Sequence, residues 1–280
     1  MTTTSVKKPR LVAPAGACDT HIHIYNARFP TAPTAKMTPP DAGVEAYKAM
    51  AKRLGIARTV VVQPTTYGKD NRCTLQAVAQ LGSSARGIVV VDESVTADEL
   101  AQMTQAGIRG VRFFMLPGGA LPWKSLDAIA AKFQDFGWHS VVQLDGRDLP
   151  EREAQITRLP GTIIIDHTGK FLEPVATDHP SFRTLLRMLD NGRTYVKLAA
   201  PYEVSKVGAP TYSDVGALAK TLVEAAPERM LWASNWPHPS ATPAQRPDDA
   251  DMLDLLLDWA PDDATRKKIL VDNPARLYGF

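Results

Sequence analysis

The chain predicts an α/β fold, a distorted (β/α)8 barrel of TIM type built as a single domain. Three observations carry that expectation. Eight short apolar runs rich in Val and Ile recur along 280 residues, helix-period segments fill the gaps between them, and no glycine-rich phosphate loop follows the first run. The runs show little polar alternation, as parallel strands covered on both faces require. The missing glycines, in DTHIHIYNARFP, count against the runner-up, a doubly wound open sheet.

The elements follow in order. Strands are expected at residues 18–24, 58–64, 87–92, 110–115, 139–144, 162–167, 194–200 and 230–236. Between the first two, Val44, Tyr47, Ala51 and Leu54 recur at helical spacing, with Asp41 as the expected cap and Gly55 as the stop. Residues 74–82 repeat the pattern with Leu75, Val78 and Leu81. Thr96 and Glu99 form a capping box ahead of Leu100 and Met103, and Gly107 ends that helix. The same grammar recurs at 126–137 and 182–192. Residues 1–15 read as a flexible N-terminal tail and residues 16–280 as the barrel.

Composition narrows the function. A net charge of +2 gives no case for nucleic acid or an anionic membrane, so a small polar molecule is the expected partner. Cys18 and Cys73 are the only cysteines and have no CxxC spacing, so neither a disulfide framework nor a thiolate zinc site is indicated, which suits a reducing cytosol. The N-terminus lacks the apolar core of a signal peptide, and no run approaches the roughly 18 apolar residues of a membrane span. A cytoplasmic location is expected.

In barrels of this type the reacting groups stand at the C-terminal ends of the strands. There the sequence places His21, His23, Gln63, Arg112, Gln143, His167, Lys197 and Asn235, with His238 just beyond. Four of the six histidines fall at these ends, which points to a pocket. His139 starts a strand and His179 precedes a helix, so both are expected to serve structure. Gln63, Thr65, Tyr67, Gln143 and His238 are candidates for binding substrate. Barrel-interior polar pairing for the two glutamines and loop capping for Tyr67 remain equal alternatives.

The segments ACDTHIHIYNARFP, IDHTGK (165–170), WASNWPHP and VDNPARLYGF, in this order, are similar to the amidohydrolase superfamily and closest to its lactone-acting branch. The resemblance runs from about residue 16 to 280. It implies a distorted (β/α)8 barrel and acyl transfer on a cyclic ester. It also implies a metal pattern that this chain meets only in part. The family's HxH pair is present, but Arg112, Gln143 and Asn235 stand at the fourth, fifth and eighth strands, where a Lys or Glu, a His and an Asp are usual. A cationic Arg112 and a neutral amide disfavour a dication, so no metal and no cofactor are expected.

The expected chemistry then rests on side chains. His21, His23 and His167 polarise the ester and move the proton, and Arg112 clamps a carboxylate. Asn235 cannot deprotonate water but can position a hydroxyl, so attack on the lactone carbonyl by the substrate's own hydroxyl is favoured, and the resemblance to the lactone-acting branch implies isomerisation of galactaro-1,5-lactone to the 1,4-lactone. Lactone hydrolysis, with Asn235 as an inactivating substitution, is the alternative, and a catalytically dead binding protein is the non-enzyme reading.

Overall fold

The computed structural model describes residues 7–242 and 244–280. Its centre is one eight-stranded sheet in sequence order: β1 (Cys18–Ile22), β2 (Arg58–Val62), β3 (Ala85–Val89), β4 (Ile108–Phe114), β5 (His139–Gln143), β6 (Ile163–Ile165), β7 (Thr194–Leu198) and β8 (Met230–Trp232). Every adjacent pair is parallel. The ends meet beyond β8, where Asn235 N–H donates to His21 O (3.0 Å), His23 N–H to Trp236 O (2.8 Å) and Thr20 Oγ1 to Trp232 O (2.8 Å). The sheet is thereby a nearly closed TIM-type barrel, and all eight predicted strands are present within a few residues. Among the described residues no helix is long and apolar enough to cross a membrane.

Side-chain parity decides what faces the barrel interior. Cys18, Val60, Val62, Ile88, Val141, Ile164, Tyr195 and Leu231 form one buried layer inside it. Along β4 to β8 the same parity brings Arg112, Gln143, Asp166, Lys197 and Asn235 inward above that layer. In β1 the register shifts between Asp19 and Ile22, and Ile22 joins the outer core although Cys18 belongs to the inner one. One irregularity in pairing exchanges the two faces, so His21 and His23 point inward.

Helices wrap the sheet: α1 (Val44–Leu54), α2 (Arg72–Leu81), α3 (Ala97–Gln105), α4 (Leu126–Phe133), α5 (Leu149–Arg158), α6 (Pro180–Leu189) and α7 (Ser213–Ala225). The Thr96–Glu99 capping box is formed, and Gly55 ends α1 at φ 75°, a left-handed conformation that glycine adopts without a Cβ penalty. Asp41 does not cap α1. Tyr25 N–H donates to Ala42 O, holding this segment extended, and the helix starts only after Gly43. Helices α5 and α7 lack a strong sequence signal because α5 is mostly polar, burying only Leu149 and Ile156, and α7 is rich in small residues.

After β8 come four short helices, α8 (Asp249–Asp254), α9 (Leu256–Trp259), α10 (Asp263–Lys267) and α11 (Asn273–Tyr278). The last covers the N-terminal end of the barrel. There His139 Nε2–H donates to Leu277 O (2.8 Å) and Phe280 lies between Arg58 and Arg86. His179 caps α6 by accepting from Ser181 N–H. Both histidines thus hold structure. The N-terminal stretch is bound rather than trailing over its described part: the Arg10 and Leu11 N–H groups donate to Asp254 Oδ1, each at 2.8 Å, and Leu11 is buried. Residues 1–6 of the expected tail lie outside the described residues.

Asp19 ties the first strand to the last. Its carboxylate accepts from Ser234 N–H (3.0 Å), Ser234 Oγ (2.5 Å) and His21 N–H (3.3 Å), with no exposure to water. Burial raises its pKa to about 7 despite the Ser234 hydrogen bonds. The folded chain therefore holds a proton there up to about pH 7, the unfolded chain only to about 4. Its contribution to stability is fully present below the lower value and is lost as pH rises through the upper one. In Asp19→Asn, the fall in unfolding free energy between about pH 5 and about pH 8, measured with urea, should be smaller by about 2 kcal/mol. An unchanged difference would show that the carboxylate is ionised throughout.

Candidate active site

At the centre of the mouth stands a buried ion pair. Lys197 Nζ lies 3.0 Å from Asp166 Oδ1 and 3.2 Å from His21 Nδ1, and the side chains of both members of the pair are 0% exposed. Burial alone would raise the Asp166 carboxyl; the Lys197 ammonium overcomes it and holds the group well below the usual carboxylate range. Burial lowers the Lys197 ammonium while Asp166 restores it in part.

The histidines around this pair are neutral. Burial, and then a neighbouring Lys197, Arg112 or His21, pushes His21, His23 and His167 well below the ordinary imidazole value. Their proton positions follow from their partners. Val62 O can only accept, so His23 Nδ1 carries the hydrogen of that 2.7 Å bond and Nε2 keeps a lone pair. His21 Nε2–H therefore donates to His23 Nε2 (3.3 Å), and His21 Nδ1 accepts from Lys197. A directed chain runs from Lys197 through His21 and His23 to the carbonyl of β2. The His167 ring lies 4.9 Å from that of His21, and its Nδ1 has no protein partner.

Arg112 forms a second group. Its Nη1 donates to Gln63 O and its Nη2 to Gln143 Oε1, both at 2.9 Å, which fixes the guanidinium plane over Phe114 and leaves Nε–H without a protein partner. Thr65 lines a small cavity of about 10 Å³ beside it. Two expected binding residues instead hold loops. Val60 and Val62 face the interior, so Gln63 has the opposite parity: its amide donates to Gly68 O and Asp70 O and accepts from Thr74 Oγ1. Tyr67 accepts from Asn26 N–H (2.9 Å) and donates to Asn26 O (3.1 Å), capping the loop after β1.

Asn235 belongs to a third group. Its Nδ2 donates to Tyr202 Oη (2.8 Å) and Glu203 Oε1 (3.2 Å). A carboxylate can only accept, so the amide orientation is fixed, and Asn235 Oδ1 is left buried without a protein partner. Glu203 also pairs with Lys170 and accepts from Ser240 Oγ. His238 does not stand free for substrate: Asp249 Oδ1 accepts from its Nε2 (2.9 Å), and Tyr202 faces its Nδ1 (3.1 Å). Lys170, Tyr202, Glu203 and Ser240 open onto a polar cleft of about 720 Å³ at the C-terminal end of the barrel.

The backbone around these groups is strained. Of the seven described non-glycine residues with positive φ, His167, Thr168, Lys170, Ala200, Asn235 and His238 sit just past β6, β7 and β8. Such conformations each cost of order 1–3 kcal/mol and gather where geometry serves function. Buried polar atoms without protein partners gather there too: Asp166 Oδ2, His167 Nδ1, Thr168 Oγ1, Arg112 Nε and Asn235 Oδ1. Asp166, Lys170 and Asp249 escaped the sequence-based selection of site residues. Asp166 and Lys170 flank His167 in IDHTGK, and Asp166 has the inward parity of Ile164, which was a usable signal. Asp249 lies on a helix and had none.

His21, Asp166 and His167 bring one donor atom each within 4.8 Å of one another, the nearest approach to a metal site among the described residues. They do not fit a dication. The Lys197 ammonium already occupies the space between Asp166 and His21, the remaining imidazole lone pairs of the HxH pair are spent on each other and on Lys197, and the amide nitrogen of Asn235 is a donor.

Comparison with known proteins agrees with this architecture. Residues 18–280 match the family model described as Amidohydrolase. The chain is 37% identical to D-galactarolactone isomerase of Agrobacterium fabrum, covering 96% of this chain and 93% of that protein. It is also 37% identical to 2-pyrone-4,6-dicarboxylate hydrolase of Comamonas testosteroni, covering 97% and 92%. An apo crystal structure of an Agrobacterium tumefaciens protein superposes with a TM-score of 0.91 at 35% identity, covering 97% of this chain and 98% of that one. With this match along nearly its whole length, on a barrel whose strand ends carry the HxH pair, the chain belongs to the amidohydrolase family.

Proposed function

We propose that the protein isomerises a sugar-acid lactone without a metal, converting D-galactaro-1,5-lactone to the 1,4-lactone. The observation that carries this reading is Asn235, an amide held so that its buried Oδ1 is free to accept a hydrogen bond. An acceptor that cannot take a proton orients a hydroxyl and leaves water unactivated. The relative named D-galactarolactone isomerase and the polar cleft of about 720 Å³ support a hydroxylated substrate. The equally similar hydrolase supports a second reading, ring opening by water.

In the proposed reaction the substrate's own hydroxyl oxygen bonds to the lactone carbonyl carbon, its proton passing to His167 Nδ1, which has no protein partner. The negative charge on the carbonyl oxygen is met by donors such as Arg112 Nε–H. The bond from carbonyl carbon to the old ring oxygen then breaks, and that oxygen takes the proton from His167. No water is consumed and no proton is gained or lost. Gln143 holds Arg112 in plane, and Thr65 lies beside it.

Incubation with galactaro-1,5-lactone, followed by NMR, should show the 1,4-lactone forming ahead of open-chain galactarate; enzymatic ring opening as the main outcome would favour the hydrolase. His167→Ala should lower kcat by about 10²- to 10⁴-fold. Because the three imidazoles are depressed, their neutral form persists into acid, and kcat/KM should stay level down to about pH 6, where an ordinary histidine is mostly charged. Activity should survive exhaustive chelation; a loss that zinc restores would sink the metal-free reading. Lys197→Met should destabilise the fold by about 3–5 kcal/mol in chemical unfolding by stranding the Asp166 charge.

A further inference from the structure

Position 235 is surrounded by acceptors. Asp249 is held by Arg53, whose Nη2 donates to its Oδ2 (3.3 Å), and its Oδ1 accepts from His238 Nε2–H. With the His238 proton on Nε2, Nδ1 accepts the Tyr202 hydroxyl hydrogen, so Tyr202 turns an oxygen lone pair toward residue 235. Glu203 presents a second acceptor, Oε1, while its Oε2 meets the Lys170 ammonium. An amide NH2 offers two hydrogens for these two acceptors. A carboxylate at the same place would offer none and would face Glu203 at close to 3.2 Å.

We propose that Glu203 is a specificity-determining positioning residue: with Tyr202 it commits position 235 to an amide, and so to orienting a substrate hydroxyl rather than activating water. The proposal rests on the isomerase reading of Asn235. Its consequence is that replacing the amide alone does not make a hydrolase. In Asn235→Asp two carboxylates share Lys170, the cation paired with Glu203; burial lowers the pKa of Lys170 itself to about 7, so one of the carboxylates holds a proton at neutral pH. The charged and titratable groups facing the new carboxyl are Glu203 and Tyr202 from the segment after β7, Lys170 from the segment after β6, and His238 with Asp249 behind Tyr202. Removing the Glu203 charge as well frees the new carboxylate to act as a base.

The test uses the full chain as N235D, E203Q and N235D/E203Q beside the native protein. Carbon NMR of labelled aspartate reads the titration of the added carboxyl independently of activity. Its midpoint in N235D should lie well above the ordinary aspartate value and fall by about one pH unit or more in the double variant, a tenfold change in ionisation constant. Hydrolysis of the lactone at neutral pH should rise at least about tenfold from N235D to the double variant, its acid limb moving with the same midpoint. An ordinary midpoint in N235D overturns the proposal without recourse to the double variant. Equal midpoints in the two also overturn it. A midpoint that moves as expected, with no lactone turned over by any of the four proteins, sustains the coupling and sinks the isomerase reading.

Discussion

The mouth of this barrel depends on one buried ion pair, Lys197 with Asp166. Two charges without exposure to water are expensive to bury, and the pair is tolerable only because each charge meets the other and a histidine completes the contact. The cation supplied by β7 stands between Asp166 and His21. It also sets the histidine tautomers, since its ammonium donates to His21 and so starts a chain of N–H donors ending at Val62 O. Asp166 stays ionised where a lone buried carboxyl would be neutral.

Around this pair the barrel assembles polar groups by closing on itself. The seam between β1 and the segment after β8 brings Asn235 within one backbone hydrogen bond of His21, and buried Asp19 fastens the same seam through Ser234. Closure and site are therefore the same structure. The register irregularity in β1 turns His21 and His23 inward, and the left-handed residues past β6 and β8 turn His167 and Asn235 out of strand geometry. Strain at these turns is offset by the surrounding core, in which the barrel interior and the outer helical layer are both apolar.

Much of this was legible in the sequence. The eight apolar runs gave every strand because parallel strands buried on both faces leave an unbroken apolar signature. His21, His23, His167, Lys197 and Asn235 were readable as strand-end polar residues. Parity would also have removed Gln63, which follows the inward Val62 and so faces the helices, where Thr74 takes its amide. Other features had no local signal. Asp249 reaches the site from a helix after β8, and Tyr202 and Glu203 meet Asn235 only because the loops after β7 and β8 converge. Asp41 looked like a cap because the bridge between Tyr25 and Ala42 joins residues distant in sequence.

The convergence of those two loops bears on how one scaffold serves relatives named as an isomerase and as a hydrolase. On the proposed reading a change of nucleophile involves more than one residue, because Asn235 is hydrogen-bonded on both N–H groups. Asn235 gives one hydrogen to Tyr202 and one to Glu203, and each of those is held in turn, Tyr202 by His238 and Asp249, Glu203 by Lys170 and Ser240. The polarity of the whole set is fixed from its outer end, where Arg53 pairs with Asp249. Changing the amide to an acid removes both hydrogens at this point and leaves two acceptors, Tyr202 Oη and Glu203 Oε1, facing a third. On the proposed reading the chemistry at position 235 is set together with Glu203, within a network that extends from the barrel mouth to Arg53 on α1.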